Sequence, residues 1–113
     1  MAPKKADLLP GTLDMLVLQT LSVGALHGYA IAQHIERTSG ELLRVEQGSL
    51  YPALERLQRA GWVTSKWGQS ATGRRVRFYT LTASGRKQLG TEISSFDAIA
   101  LGIARVLGRD EGA

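Results

Sequence analysis

The amino-acid sequence predicts a mainly α-helical fold that carries a two-stranded β wing and ends in one long C-terminal helix. Three segments in the first 61 residues have apolar side chains at helical spacing, and each is closed by a glycine. Two stretches rich in aromatic and β-branched residues follow, separated by the turn-forming residues "SATG". Beyond them, apolar residues recur at alternating steps of four and three, the repeat of a helix that pairs with another helix.

Length and composition fit one globular domain. The chain has 113 residues, of which 43% are apolar, and it contains no cysteine. Disulfide bonds, thiolate nucleophiles and cysteine-based metal sites are therefore excluded. The apolar stretch that begins at Leu8 is interrupted by Pro10 and Asp14, so it is typical neither of a signal peptide nor of a membrane span. We expect a soluble cytoplasmic protein.

The first two helices have recognisable ends. Helix one is predicted over "GTLDMLVLQTLSVG", with Thr12 as its N-cap, Asp14 in its first turn and Gly24 as its stop. Helix two is predicted over "HGYAIAQHIERTSG" and ends at Ser39 and Gly40. In both helices apolar residues on adjoining turns indicate one buried face.

Helix three follows a short link, "ELLRVEQG", which has room for one brief strand. Its buried stripe is predicted to be Leu50, Leu54 and Leu57, at positions i, i+4 and i+7. The opposite face then carries Ser49, Pro52, Arg56 and Arg59. We place Pro52 at the fourth residue of the helix, where its missing N–H is one of those that have no helical partner.

An antiparallel hairpin is predicted from "WVTSKWGQ" and "RRVRFYTL", which flank the turn. Trp62 and Trp67 flank its first strand, and we expect core or interface positions for both. The pattern does not decide which strand face is buried. The wing completes a domain over residues 8–81.

The last helix is predicted over residues 82–108, with Thr82 as its cap. Its apolar seam consists of Leu89, Ile93, Phe96, Ala100, Ile103 and Leu107. About 26 residues make a helix ~39 Å long, more than so small a domain can cover. We therefore predict that the seam pairs two copies of the chain; the alternative is a helix that folds back on its own domain.

Three helices followed by a hairpin form the winged helix-turn-helix pattern, in which helix three enters the major groove of DNA and the wing lies over phosphates. The chain's net charge is +4, and the segment from Arg44 to Lys87 holds nine lysines and arginines against two glutamates. We predict that DNA is contacted by Tyr29, Gly48, Ser49, Tyr51, Pro52, Arg56, Arg59, Lys66, Arg74, Arg75 and Arg77. The alternatives left open are an Arg59–Glu55 pair, core packing of the two tyrosines and a merely solvated cationic wing.

Nothing in the sequence assembles into a catalytic, cofactor or metal site. His27 and His34 are the only histidines and have no partners at a ligand spacing, and no phosphate-binding glycine loop or hydrolase motif occurs. We expect no enzyme, no cofactor and no metal. The alternatives to a DNA-binding regulator are a winged-helix protein-interaction module without DNA binding and a small enzyme, which would need a polar cluster that the sequence lacks.

The segments "HGYAI", "GSLYPALERLQRAGWV" and "GRRVRFYTLTASG", in this order, resemble the PadR family of transcriptional regulators over about residues 8–107. The resemblance implies a dimeric DNA-binding regulator, usually a repressor, whose single C-terminal helix pairs with its mate and with helix one. It places the DNA-contacting helix on residues 48–59, including Tyr51, and the basic wing on Arg74 and Arg75. In multidrug-sensing members a tryptophan on the C-terminal helix lines a pore at the dimer centre, and this chain departs from them with Phe96 at that position. The aromatic Phe96 on the seam itself motivates the hypothesis of a small apolar or aromatic effector between the C-terminal helices.

Overall fold

The computed structural model describes residues 6–109, and this part of the chain forms four helices and five strands. The helices are α1 (Pro10–Leu21), α2 (Gly28–Thr38), α3 (Gln47–Arg59) and α4 (Ala83–Val106). The strands are β1 (Ala6–Asp7), β2 (Leu26–His27), β3 (Leu43–Arg44), β4 (Val63–Gln69) and β5 (Arg75–Leu81). The predicted mainly α-helical fold with a β wing is confirmed.

The wing is the antiparallel pair β4–β5, whose register runs from Val63 opposite Leu81 to Gln69 opposite Arg75. Strand β2 joins the other edge of β5, so this sheet has three strands in the order β2-β5-β4. Strand β2 was not predicted, because two residues are too few to show an alternating pattern. The brief strand expected in the link before α3 is β3, which pairs with β1 in parallel.

The core lies around α1, which packs against the other three helices and β5. Leu50, Leu54 and Leu57 of α3 are fully buried in it, as their spacing predicted. The wing contributes from one face near its base, where Val63, Tyr79 and Leu81 are buried. The same strand face continues outwards to Trp67, Arg75 and Arg77, because alternate residues of a strand share a side.

The predicted N-terminus of α1 is wrong. The helix starts at Pro10 with Leu9 as its N-cap, so Thr12 is its third residue and does not cap it. Proline is well suited to the first helical position, because its fixed φ fits the helix and its missing N–H is not needed there. Asp14 consequently lies beyond the first turn and is available to another helix.

The predicted position of Pro52 is also wrong. Helix α3 starts at Gln47, with Glu46 as its N-cap, which makes Pro52 its sixth residue. An N–H at that position would have bonded to the carbonyl of Gly48, and proline cannot supply it. The helix nevertheless continues to Arg59, held by the buried leucines on its inner side.

Helix α4 begins as predicted, with the Thr82 hydroxyl accepting a hydrogen bond from the Gly85 N–H at 3.0 Å. Its first turns pack against the domain, and Leu89 is buried in the domain's own core. Ile93 and the residues after it are largely exposed. Leu89 therefore fills the core of its own chain, whereas the rest of the predicted seam lies on an open surface.

Candidate nucleic-acid interface

A cleft of about 1010 Å³ separates the wing from the first turns of α2 and α3. We call it the wing cleft. One wall consists of residues 27–30, Gln33, Gln47 and Tyr51, and the other consists of wing residues that include Trp67, Arg74, Arg75 and Arg77. Five of the predicted DNA contacts on the wing and on the helices thus meet at one place, together with residues that were not selected from the sequence.

The helical wall is built on a close contact between Tyr51 and Gly28. A Cβ atom at Gly28 would lie 2.8 Å from the Tyr51 hydroxyl oxygen, so the tyrosine occupies space that only glycine leaves open. Tyr29 projects beside it, and its hydroxyl accepts a hydrogen bond from Nε2 of Gln33 at 3.0 Å. Both tyrosines are about half exposed, which places them at the mouth of the cleft and not in the core.

His27 satisfies one backbone N–H group in the first turn of α2. Its Nδ1 accepts a hydrogen bond from the Ala30 N–H at 3.3 Å. The imidazole therefore acts as the N-cap of α2. It also meets the ring of Phe78 edge-to-face, with 5.7 Å between centroids, and so joins α2 to the wing. This role was missed because histidine is not among the usual capping residues.

The wing wall is organised by Trp67. Two guanidinium groups lie over its ring. The guanidinium carbon of Arg75 is 4.3 Å from the ring centroid, and that of Arg77 is 5.3 Å from it. The side chain is 54% exposed, so it is not part of the core. Trp62, by contrast, is partly buried against the core.

The turn at the tip of the wing is fixed by hydrogen bonds across it. Ser70 donates its N–H to the Arg74 carbonyl at 2.8 Å, and its hydroxyl accepts the Arg74 N–H at 3.2 Å. Gly73 has a φ of 82°, a conformation that favours glycine. Lys66 lies opposite Phe78 on the other face of the hairpin and outside the wing cleft, so the structure separates it from the three arginines.

The arginines of α3 differ from those of the wing in their partners. Arg56 pairs with Asp14 of α1 at 2.9 Å, and Arg59 pairs with Glu55 at 2.7 Å, the alternative considered for it from the sequence. Of the residues that the structure describes, none with a carboxylate lies within ion-pair distance of Arg74, Arg75 or Arg77. The uncompensated positive charge of this region is therefore on the wing.

The outer face of α3 is open. Gly48, Ser49 and Pro52 are exposed, and a Cβ atom at Gly48 would meet no atom within 4 Å. They lie outside the cleft lining, next to Gln47, which belongs to it. Gln47 was not selected from the sequence; its position four residues before Tyr51 is the signal that places both on one side of the helix.

The floor of the wing cleft includes Tyr79, whose side chain is buried. Burial raises the pKa of the Tyr79 phenol, and the charge of Arg77 opposes this shift. The phenol stays neutral at physiological pH, so the positive charge of the wing wall is not cancelled from below.

Helix α4 adds a large apolar surface. The exposed side chains include the seam residues Ile93, Phe96, Ile103 and Leu107, and also Ile99, Leu101 and Val106 beside the seam. Within residues 6–109 no helix is both long and apolar enough to cross a membrane. In the same part of the chain, no three histidine, aspartate or glutamate side chains come together as a metal site would require.

Three helices around a small core, a hairpin whose arginines have no carboxylate partner within residues 6–109 and an exposed outer face of α3 define the class: a winged helix-turn-helix protein of the kind that binds nucleic acid. The model of the transcriptional regulator PadR-like family matches residues 17–91. The chain belongs to this family. The predicted resemblance is therefore confirmed, and with it the prediction of a transcriptional regulator and not an enzyme.

Two relatives bear on this assignment by sequence. The negative transcriptional regulator PadR of Bacillus subtilis is 30% identical over 77 residues, which are 68% of this chain and 42% of that protein. An uncharacterised 37.1 kDa protein of a transposon in Streptomyces fradiae is 42% identical over 85% of this chain and 24% of its own length. The chain thus spans less than half the length of each of these two relatives.

Solved structures agree on the fold. A transcriptional regulator from Clostridium thermocellum matches with a TM-score of 0.77 and 26% identity, over 84% of this chain and 92% of that one. A PadR family transcription regulator from Clostridium difficile R20291 matches with a TM-score of 0.71 and 26% identity, over 84% and 97% of the two chains.

Proposed function

We propose that the protein is a homodimeric repressor that binds a pseudo-palindromic DNA operator. The observation that carries the proposal is that the wing arginines face the exposed first turns of α2 and α3 across the wing cleft, with no carboxylate partner in the described part of the chain. A polyanion that enters the cleft meets cations on one wall and hydroxyl groups on the other. Phosphate contacts of this kind supply nearly all of the non-specific affinity and a large share of the specific affinity of DNA-binding proteins.

In the proposed complex the outer face of α3 lies in the major groove, with Gly48, Ser49 and Pro52 next to the base edges. The sugar-phosphate backbone beside that groove passes through the wing cleft. There Arg75 and Arg77 bind phosphates, and the hydroxyls of Tyr29 and Tyr51 donate to phosphate oxygens from the opposite wall. Arg56 and Arg59 have to leave their carboxylates before they contact DNA.

Helix α4 supports the homodimer. Beyond Leu89 its apolar seam is exposed, and a partner copy of the same helix has the complementary repeat. A two-fold axis along the paired helices places two α3 helices at half-sites about one helical turn apart. Repression agrees with the name of the Bacillus relative, a negative regulator. Because the proposed operator is chromosomal DNA, we also propose that the protein acts in the cytoplasm.

A titration of labelled genomic operator fragments, followed by fluorescence anisotropy, tests this function. We expect sequence-specific binding that weakens steeply with salt. Absence of specific binding at low salt contradicts the proposal. Dimerisation without any DNA affinity would favour the winged-helix protein-interaction module instead.

Phe96 supports one addition, an effector site between the paired α4 helices. Its ring is 46% exposed on the seam, where a small apolar or aromatic molecule meets it in a dimer. Such a ligand would change the spacing of the two α3 helices and so relieve repression. Unchanged tryptophan fluorescence and DNA affinity across a panel of phenolic and planar compounds would contradict an effector of this type.

A further inference from the structure

Trp67 is a large aromatic residue left outside the core in the middle of the wing. Tryptophan buries much surface when it packs, so an exposed position calls for an explanation other than domain stability. Among the described residues the ring does not pack on the hydrophobic core cluster. It lies against two guanidinium groups instead.

The strand register explains how one ring reaches two cations. Arg77 stands directly opposite Trp67 on β5, and Arg75 stands at the diagonal position two residues away. Both positions are within reach of a long side chain on the same strand face. Arg77 therefore approaches the ring from across the ladder, and Arg75 folds over it from the tip.

The ring is also the partner that these arginines have in place of a carboxylate. An arginine paired with aspartate or glutamate, such as Arg56, must exchange its partner when a phosphate arrives. An arginine over an aromatic ring keeps the N–H groups at the edge of its guanidinium plane available for phosphate oxygens. It is ordered and still able to bind.

We propose that Trp67 is a positioning residue, which holds Arg75 and Arg77 in the wing cleft in the geometry that binds two phosphates of one DNA strand. The proposal rests on the proposed function, since it concerns the same cleft and the same partner. Two free arginine side chains would lose much rotamer freedom on binding DNA, and stacking on Trp67 removes part of that loss before DNA arrives.

The test is a comparison of Trp67→Leu and Trp67→Phe in the full-length protein, with operator DNA and a salt titration. Leucine keeps an apolar side chain but has no π face, and we expect it to weaken binding roughly five- to tenfold. Phenylalanine keeps a π face, so the affinity of Trp67→Phe should stay within about threefold of that of the wild type. The salt slope should stay unchanged in both variants, because both arginines still reach their phosphates.

A double-mutant cycle separates positioning from direct contact with DNA. In the background Arg75→Ala with Arg77→Ala, Trp67→Leu should cause no further loss. A further loss of similar size would mean that Trp67 touches DNA itself, and unchanged affinity of Trp67→Leu in the wild-type background would mean that it positions nothing. Either result overturns the proposal.

Proton NMR of the wild-type protein without DNA covers the case in which Trp67→Leu fails to fold. Ring currents should shift the Cδ protons of Arg75 upfield, and Trp67→Phe should reduce the shift. Unshifted Arg75 protons contradict the stacking whatever the DNA affinity. If the wild-type protein shows the shift but binds no operator, the proposed function fails, and the positioning role fails with it.

Discussion

Nη2 of Arg56 on α3 donates a hydrogen bond to Oδ1 of Asp14 on α1 at 2.9 Å, across 42 residues of sequence. The Asp14 side chain is only 19% exposed and that of Arg56 is 45% exposed, so the pair is partly screened from water. Helix α1 also packs against α4. The ion pair therefore joins α3, which is proposed to read DNA, to α1, against which α4 packs.

Replacing the carboxylate in this pair tests whether Arg56 has a structural role. Asp14→Asn keeps the shape but removes the charge, and we expect it to lower the free energy of unfolding by about 0.5–1 kcal/mol, measured by thermal unfolding. DNA affinity should not fall, because Arg56 is then free to approach a phosphate. Glu55→Gln is the matched control, since the exposed Glu55–Arg59 pair contributes roughly 0.3 kcal/mol. A tenfold loss of DNA affinity in Asp14→Asn without a change in stability would contradict this role.

The wing arginines should dominate the electrostatic part of binding. Arg75→Ala with Arg77→Ala removes two cations from the wing cleft, and we expect weaker binding to all DNA sequences alike. The slope of log K against log salt should become shallower by about 0.9 for each lost phosphate contact. Lys66→Ala also removes one cation, but from the other face of the hairpin. An equal loss in slope per charge from Lys66→Ala would show that the two faces of the wing are not distinguished.

Much of the fold could be predicted from the sequence because it depends on periodicity. The leucines of α3, the two wing strands and the Thr82 cap each follow from local spacing or residue type, and the structure has them where the pattern placed them. The start of α1 and the helical position of Pro52 were misplaced. Helix ends depend on which cap forms, and several neighbouring residues were able to serve.

The candidate site was predictable as a set of residue types but not as a set of partners. That Arg56 faces Asp14 depends on how α1 and α3 pack, and no local pattern encodes it. The stacking of Trp67 depends on the register of the hairpin, which sets Arg77 opposite it. Both contacts change the interpretation of the basic residues. The arginines of α3 are paired with carboxylates, whereas Arg75 and Arg77 of the wing lie over an aromatic ring and have no carboxylate partner among the described residues.

Gly28 offers a test of the helical wall. Alanine in place of an exposed helical glycine usually stabilises a protein by roughly 0.4–1 kcal/mol. At Gly28 the added methyl group would meet the Tyr51 hydroxyl at 2.8 Å and Cε1 at 2.9 Å, so we expect Gly28→Ala to destabilise the domain and to weaken DNA binding by moving Tyr51. Chemical denaturation and anisotropy measure the two effects.

The control for this substitution is Gly11→Ala, at the second position of α1, where the new Cβ atom would meet nothing within 4 Å. It should leave stability unchanged or slightly higher. Tyr51→Leu combined with Gly28→Ala should recover part of the lost stability, because the contact that opposes the methyl group is gone. Equal effects of alanine at both glycines would contradict the steric account.

The apolar seam of α4 predicts the oligomeric state. Ile103 is 54% exposed in the single chain, so a charge there barely affects the folding of one protomer. Between two paired helices the same charge is buried without a partner, which costs several kcal/mol. We therefore expect Ile103→Asp to elute as a monomer in size-exclusion chromatography with light scattering, with an unchanged helical circular dichroism signal. Ser95→Asp places the same charge off the seam and should remain dimeric.

Because a monomer engages one half-site at a time, Ile103→Asp should also bind a full operator no better than an isolated half-site. A dimeric Ile103→Asp protein would show that the seam is covered by something other than a second α4.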